Sequence, residues 1–380
     1  MTKIKDLLRG LKDLSAIGIV DIISTIIGGL FWFYIVTLLD AEQYGQISYL
    51  IAIAGLASSV ALLGSENTLT IYTAKKIKLQ SAVYLITIFA GTIASIVVFF
   101  ITNRFEVGFL VFGYLIFNLV GAEMLGRMAY VPYARYILVN KLLMVGLSIG
   151  LFFVIGESGI IIGIALSSSL YGYSVYKVFK TIKIDFSLIK ERTGFMITSY
   201  LTSLSNRFAD TLDKIIIAPM LGFVILGNYQ LGLQFLEVLS ILPSIVFKYI
   251  LPQDAQGNPN KKLKKLTIIS SVFITIGTIL LSPLTIPTIF PKYTESVQII
   301  QILSISLIPS TINVIYVSKL LGSERNKIVL CGSLIFLTIQ TISIILLGIV
   351  IGVSGAAIGF LLGVTCQTVF YLIMSRYQKF

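Results

Sequence analysis

The sequence contains no histidine, and charged residues make up only 12% of its 380 positions. Without histidine the chain cannot form a Ser/His/Asp triad, a histidine general base or a histidine metal site. Its two cysteines, Cys331 and Cys366, lie inside apolar runs without a CxxC spacing, which favours packing residues over metal ligands. We therefore expect no enzyme, no cofactor and no metal centre.

Apolar residues, in contrast, are abundant: 56% of the chain is hydrophobic, and the mean hydropathy is +0.95. A soluble protein of this length has too little interior to hide that much apolar surface, so the composition indicates an integral membrane protein. Runs of about 20 apolar residues predict an all-α fold of twelve transmembrane helices. The predicted spans are 16–38, 45–64, 80–101, 107–126, 136–155, 159–177, 195–220, 225–249, 266–289, 297–318, 327–350 and 355–375.

The basic residues behind the net charge of +12 lie mainly in the predicted loops. With the N-terminus inside, the outer loops hold only Arg104 and Lys292 of the 29 lysines and arginines. This positive-inside pattern predicts a multi-pass protein of the cell membrane with both termini cytoplasmic. The basic loops favour anionic lipid headgroups as partners and make nucleic acid unnecessary as an explanation of the charge. Residues 1–14, apolar at helical spacing among basic residues, are predicted to form an amphipathic interfacial helix.

A repeated pattern divides the chain into halves. The motif GxSGxxxG begins at Gly156 and again at Gly352, and the stretch ending at Gly45 aligns with the one ending at Gly227. We expect two six-helix lobes, 15–178 and 194–380, joined by a cytoplasmic linker, 179–193. An even number of helices in each lobe makes the repeat parallel, which predicts a central cavity between the lobes and transport by rocking.

The predicted seventh span carries a polar stripe at three- and four-residue steps. Each ionised group in it would cost roughly 3 kcal/mol if it faced lipid. The stripe must therefore line a wet cavity or form a neutralised structural network, and both interpretations remain open. Alignment of the halves places Asp21 and Thr25 on the matching face of helix one. The stripe consists of Ser203, Asn206, Arg207, Asp210, Asp213 and Lys214.

Coupling to H⁺ or Na⁺ would require a carboxylate, because no histidine is available. The candidates are Glu237, Asp21 and Asp210. For Glu237, predicted near mid-membrane, a buried ion pair with Lys214 or Arg207 is the alternative interpretation. Glu123 and Arg127, four residues apart, are predicted to form an ion pair at an inner helix end.

The stretch from Asn206 through Ile217 to Gly227 and Tyr229 resembles the start of the second half of polysaccharide flippases. These belong to the multidrug/oligosaccharidyl-lipid/polysaccharide exporter superfamily. The resemblance implies a V-shaped, two-lobed bundle that moves a polyprenyl-linked oligosaccharide to the outer leaflet for polysaccharide biosynthesis. It implies that Arg207 and Lys214 hold the pyrophosphate, within a substrate site that also includes Asp210, Asp213, Asn206, Asp21 and Thr25.

Two alternatives stand beside the flippase. Cation-coupled drug exporters of the same superfamily share the twelve-helix plan. An intramembrane glycosyltransferase or polymerase is disfavoured by the short loops and the lack of an acidic metal motif. A net basic cavity would favour the flippase, and a net acidic one the exporter.

Overall fold

The computed structural model describes the backbone of residues 2–257, 259–323 and 325–377, and the side chains of these residues except 2–17, 202, 206, 209, 210 and 377. That part of the chain is helical apart from short turns and contains no strand. A 3₁₀ segment spans Pro291–Tyr293. The helices are α1 (Thr2–Leu38), α2 (Ala41–Leu62), α3 (Ser65–Ala74), α4 (Gln80–Thr102), α5 (Phe105–Gly126), α6 (Tyr130–Ile155), α7 (Glu157–Ser169), α8 (Gly172–Thr181), α9 (Ser187–Lys190), α10 (Thr193–Leu221), α11 (Phe223–Leu239), α12 (Ile241–Ala255), α13 (Lys261–Ile289), α14 (Ser296–Gly322) and α15 (Asn326–Tyr377).

Within the described residues, nine helical stretches are long and apolar enough to cross a membrane, and a tenth span results if α11 and α12 are counted together. Many of their apolar side chains face outward, among them Phe100 at 72% exposure and Leu284 at 70%. Such a surface requires hydrocarbon as its solvent, because water-soluble monomers expose far smaller apolar patches. The prediction of an all-helical, multi-pass membrane protein is confirmed.

Several helix boundaries differ from the prediction. The helix expected over 225–249 is two helices, α11 and α12, which meet at Ser240 with a bend of 44°. The helix expected over 45–64 ends at Leu62, and after a turn at Leu63 and Gly64, both with positive φ, α3 continues to Ala74. The first helix runs without a break from Thr2, so residues 3–14 and the span after them share one helix.

Local side-chain chemistry explains where some helices begin. Asp40 precedes α2 and accepts a hydrogen bond from the Gln43 amide at 2.9 Å, while the Asp40 amide donates to the Gln43 side chain at 3.0 Å. This reciprocal capping box satisfies two amide groups that the first helical turn would leave unpaired. Asn260 caps α13 in a simpler way, since its side chain accepts from the Leu263 amide.

The two GxSGxxxG motifs adopt the same turn. Gly156 has φ 71° and ψ −146°, and Gly352, inside α15, has φ 60° and ψ −133°, a conformation that side chains other than glycine rarely adopt. A Cβ on Gly159 would overlap the Leu151 carbonyl, as a Cβ on Gly355 would overlap that of Leu347. The exposures agree as well: Phe153 and Ile349 are each 67% exposed, and Val154 and Val350 are each 76% exposed.

The helices group into two compact units. Unit 1 comprises residues 1–31 and 50–211; in it α7 packs on α5 and α6, and α5 also packs on α3 and α4. Unit 2 comprises residues 32–49 and 212–380; in it α14 packs on α11, α12, α13 and α15. The helix α10 contributes its first part to unit 1 and its last part to unit 2.

In unit 2 the beginnings of α2 and α11 meet backbone to backbone. A Cβ on Gly45 would overlap the Phe223 carbonyl, and a Cβ on Gly227 would overlap the Ala41 carbonyl. The contact is reciprocal, because residues at equivalent positions of the two aligned segments exchange roles. Only glycine permits two helices to approach this closely.

Beside this contact the Tyr293 hydroxyl donates to the Asp40 carbonyl at 2.9 Å. Burial raises the pKa of Tyr293, and the nearby Asp40 carboxylate raises it further. The hydroxyl therefore stays protonated at physiological pH and keeps its role as a donor.

Candidate functional site

Arg207 lies half-buried in the part of α10 that belongs to unit 1. Its Nε donates a hydrogen bond to the Ser59 hydroxyl of α2 at 3.0 Å, and that hydroxyl in turn donates to the Gly55 carbonyl. The guanidinium makes no other hydrogen bond within the described part of the chain, although Glu66 and Tyr114 interact with it electrostatically. Its terminal amino groups can therefore serve a ligand.

The two predicted residues of helix one also belong to unit 1. Asp21 is half-buried and interacts electrostatically with Tyr133 of α6. Thr25 is exposed, and its hydroxyl donates to the Asp21 carbonyl at 2.8 Å. The Thr25 hydroxyl is thus occupied by its own helix and retains only acceptor capacity for a ligand.

A cavity of about 260 Å³ opens between α3, α5 and α6 of the same unit. Glu66 gives it a carboxylate, which interacts electrostatically with both Arg207 and Tyr133. The lining therefore includes the Glu66 carboxylate and the Tyr133 ring. The Arg207 guanidinium of α10 interacts with that carboxylate. The lining residues are Glu66, Asn67, Thr70, Phe117, Asn118, Gly121, Ala122, Leu125, Tyr133 and Ile137.

In unit 2 the end of the polar stripe is a buried, neutralised cluster. The Asp213 carboxylate, 5% exposed, accepts from the Tyr229 hydroxyl at 3.1 Å and from the Lys214 amide at 2.8 Å. Lys214 Nζ lies 3.4 Å from the same carboxylate, and the Gln340 side chain also interacts with the Tyr229 hydroxyl. For Asp213 and Lys214 this geometry matches the structural-network interpretation of the stripe.

Glu237 is exposed and lies three residues before the bend at Ser240. The alternative interpretation of Glu237 required a buried side chain, and on that point it is wrong. Its carboxylate interacts electrostatically with Tyr44. The side chains of Asn206 and Asp210 lie outside the described residues.

The ion pair of Glu123 with Arg127 is confirmed, with 2.6 Å between Arg127 Nη2 and Glu123 Oε1. The Tyr84 hydroxyl donates to the other carboxylate oxygen, also at 2.6 Å. Both oxygens of the Glu123 carboxylate therefore have protein partners, which indicates a structural role for the residue.

Sequence reasoning missed the cavity. Glu66 and Asn67 stand beside the apolar span that was predicted to end at residue 64, and Asn118 is a polar interruption inside an apolar helix. Such interruptions are a usable signal, because polar groups at membrane depth require partners. The contacts of Ser59 with Arg207 and of Tyr229 with Asp213 carry no sequence signal, since they join distant segments.

No protein-family model and no curated protein matches the sequence. Solved structures do match in fold. The lipid II flippase MurJ, in an inward closed conformation, gives a TM-score of 0.73 at 14% identity, covering 95% of this chain and 87% of the flippase. The eukaryotic MATE transporter AtDTX14 gives 0.55 at 19% identity, covering 97% and 96%. A MOP superfamily transporter from Pyrococcus furiosus gives 0.56 at 13% identity, covering 97% and 95%. At these identities the similarity concerns the fold.

Proposed function

We propose that the protein is a transporter of the cell membrane that flips a polyprenyl-(pyro)phosphate-linked oligosaccharide from the inner to the outer leaflet by alternating access. The observation that carries the proposal is Arg207, a half-buried guanidinium inside a membrane protein that is hydrogen-bonded only by a neutral hydroxyl among the described residues. A guanidinium binds phosphate oxygens bidentately, and burial strengthens that interaction. The fold similarity to a lipid II flippase supports the same substrate class.

For the moving parts we propose twelve helices in two six-helix lobes, 15–178 and 194–380, related by a parallel repeat. The break at Gly352 divides α15 into two spans, and α10, with 29 residues, is long enough for another. The equal turns at Gly156 and Gly352 support a duplication. Of the other stripe residues, Asn206 and Asp210 would complete the substrate path on α10, and Asp213 and Lys214 would belong to the structural network of unit 2. Coupling to H⁺ or Na⁺ through Glu237, Asp21 or Asp210 belongs to the proposal.

The test uses purified protein in liposomes with a fluorescent polyprenyl pyrophosphate oligosaccharide and a membrane-impermeant quencher. Without flipping, only the label in the outer leaflet is quenched, whereas flipping exposes all of it. We expect Arg207→Ala to slow flipping about tenfold or more, because a charge-assisted hydrogen bond contributes about 1.5–3 kcal/mol. Arg207→Lys should fall between, since it keeps the charge but loses the bidentate geometry.

The matched control is Arg135→Ala, which removes an exposed arginine of α6 and should leave the rate unchanged. If the Arg207→Ala variant flipped the lipid at the wild-type rate, Arg207 would have no role in transport. A wild-type protein that fails to flip the labelled lipid would overturn the proposed substrate.

The second candidate function is a cation-coupled multidrug exporter. Its specific support is the Glu66 carboxylate beside Phe117 and Tyr133, because carboxylates and aromatic faces both attract organic cations. In the same liposomes, uptake of a cationic dye driven by a Na⁺ or proton gradient, lost in Glu66→Gln, would favour this function over lipid flipping.

A further inference from the structure

The cavity between α3, α5 and α6 has polar side chains that the protein itself does not use. Among the described residues, the Glu66 carboxylate accepts no hydrogen bond, and the side-chain amides of Asn67 and Asn118 make none. Glu66 and Asn118 are half-buried and Asn67 is exposed, so their free hydrogen-bonding capacity is accessible to a ligand in the cavity. Thr70 is different, because its hydroxyl donates to the Glu66 and Ala122 carbonyls at 2.9 and 3.2 Å.

Aromatic rings form another part of the wall. Phe117 is held by a stacked contact with Tyr136, with ring centroids 5.2 Å apart, and Tyr133 lies beside Gly121. At Gly121 a Cβ would come 3.5 Å from the Tyr133 ring, so the glycine keeps the space next to that ring open. Two rings thus border a cavity that also holds a carboxylate and two amides.

The size of the cavity limits what it can hold. About 260 Å³ is slightly below the roughly 300–1,000 Å³ of sites for drug-sized molecules. A whole oligosaccharide or a large drug exceeds it, whereas a single ring fits.

The lining chemistry also argues against a metal ion. Hard cations need about six or more oxygen ligands, whereas Glu66 is the one carboxylate in the lining. No group of three or more metal-binding side chains was found in the described part of the chain.

A pyranose ring satisfies each feature. Its hydroxyls donate to a carboxylate and both donate to and accept from amides, and its C–H face packs on aromatic rings. Glu66 also interacts electrostatically with Arg207, so the cavity lies in the neighbourhood of the guanidinium to which we assign the phosphate.

We propose that this cavity binds the sugar that is bonded directly to the phosphate of the lipid-linked substrate, with Glu66, Asn67 and Asn118 contacting its hydroxyls. The inference rests on the proposed function, and it assigns the site for the first sugar. Arg207 then recognises what all such lipids share, and the cavity distinguishes a glycosylated lipid from a bare one.

The test compares binding of two ligands to the detergent-solubilised protein: polyprenyl pyrophosphate, and the same lipid carrying one hexose. We expect the wild-type protein to bind the glycosylated lipid about tenfold or more tightly than the bare one. Asn118→Leu and Glu66→Gln should each bring the ratio of the two affinities close to one. Arg207→Ala should weaken both lipids equally, and Glu295→Gln, an exposed control, should change neither.

The outcomes separate the two proposals. Equal wild-type affinity for both lipids, or a preference retained in Asn118→Leu, overturns the sugar site while leaving lipid flipping intact. Failure to bind either lipid overturns the proposed function itself. Binding of bare lipid by the variants serves as the folding control, so a misfolded variant is recognised.

Discussion

Asp213 is a buried carboxylate in a membrane protein, and its surroundings explain how it is tolerated. An unpaired ion in a low-dielectric interior costs several kcal/mol, and only a partner charge together with hydrogen bonds offsets this. The Tyr229 hydroxyl and the Lys214 amide supply the hydrogen bonds, and Lys214 Nζ supplies the charge. These partners offset the cost of burying the charge, so removal of any one of them should destabilise unit 2.

Tyr229→Phe should destabilise the protein. The substitution keeps the ring and removes the hydroxyl that donates to the Asp213 carboxylate. A hydrogen bond to a charged group is worth about 1.5–3 kcal/mol, so we expect a clear drop in the unfolding temperature in detergent micelles. Tyr249→Phe, at a side chain 56% exposed, is the matched control and should leave that temperature unchanged. Equal unfolding temperatures for the two variants would contradict the role of Tyr229.

For individual residues, the sequence shows where polar side chains occur but does not predict which of them form hydrogen bonds or ion pairs with each other. Lys214 Nζ lies 3.4 Å from the carboxylate of its sequence neighbour Asp213, a pair that the three- and four-residue spacing of a helix face does not predict. The hydrogen bond to Asp213 comes from Tyr229, 16 residues further along the chain. The hydroxyl that accepts from Arg207 belongs to Ser59, 148 residues before it. Such contacts arise from packing between helices, which periodicity within one helix does not contain.

The close approach of α2 and α11 depends on one glycine in each helix. Gly45 and Gly227 are helical positions where alanine would normally gain about 1 kcal/mol, but here a Cβ meets an opposing backbone carbonyl that has no freedom to rotate away. Overpacking of this kind costs about 1–3 kcal/mol. The interhelical overlap therefore outweighs the gain in helix propensity.

Gly45→Ala and Gly227→Ala should each lower the unfolding temperature in micelles. The controls are Gly55→Ala in α2 and Gly277→Ala in α13, where an added Cβ meets nothing within 4 Å. The two control substitutions should leave the unfolding temperature unchanged or raise it slightly. The substitutions at Gly45 and Gly227 should lower it. If Gly45→Ala proved as stable as Gly55→Ala, the backbone contact between α2 and α11 would be absent.

Whole helices are more predictable than their breaks. The apolar stretches that the structure describes overlap spans predicted from hydropathy, and the repeated motif put a break at Gly352, where the backbone is non-helical, because its glycine turn has a local signature. The bend at Ser240 has a local signature of another kind in Pro243, which has no N–H to donate to the Leu239 carbonyl and so interrupts the helix there. The apolar pattern continues through the bend, so hydropathy by itself predicts one unbroken span.

The molecule as a whole follows most directly from composition. A hydrophobic content of 56% and a basic excess confined to one set of loops predict a multi-pass membrane protein before any contact is known. The exposed apolar side chains of the helices agree with that prediction. The cavity beside Glu66 could not be predicted in this way, because it is a space between three helices rather than a property of any one of them.

Orientation is the remaining prediction of the charge pattern, and cysteine labelling tests it. With Cys331 and Cys366 replaced by alanine, single cysteines at exposed positions report each side: Lys292→Cys after α13, and Lys78→Cys between α3 and α4. A membrane-impermeant maleimide applied to intact cells should label Lys292→Cys fully and Lys78→Cys only after permeabilisation. The physical reason is that translocating lysine-rich loops is disfavoured, which keeps them cytoplasmic. Labelling of Lys78→Cys in intact cells, with Lys292→Cys protected, would invert the topology and with it the direction of the proposed transport.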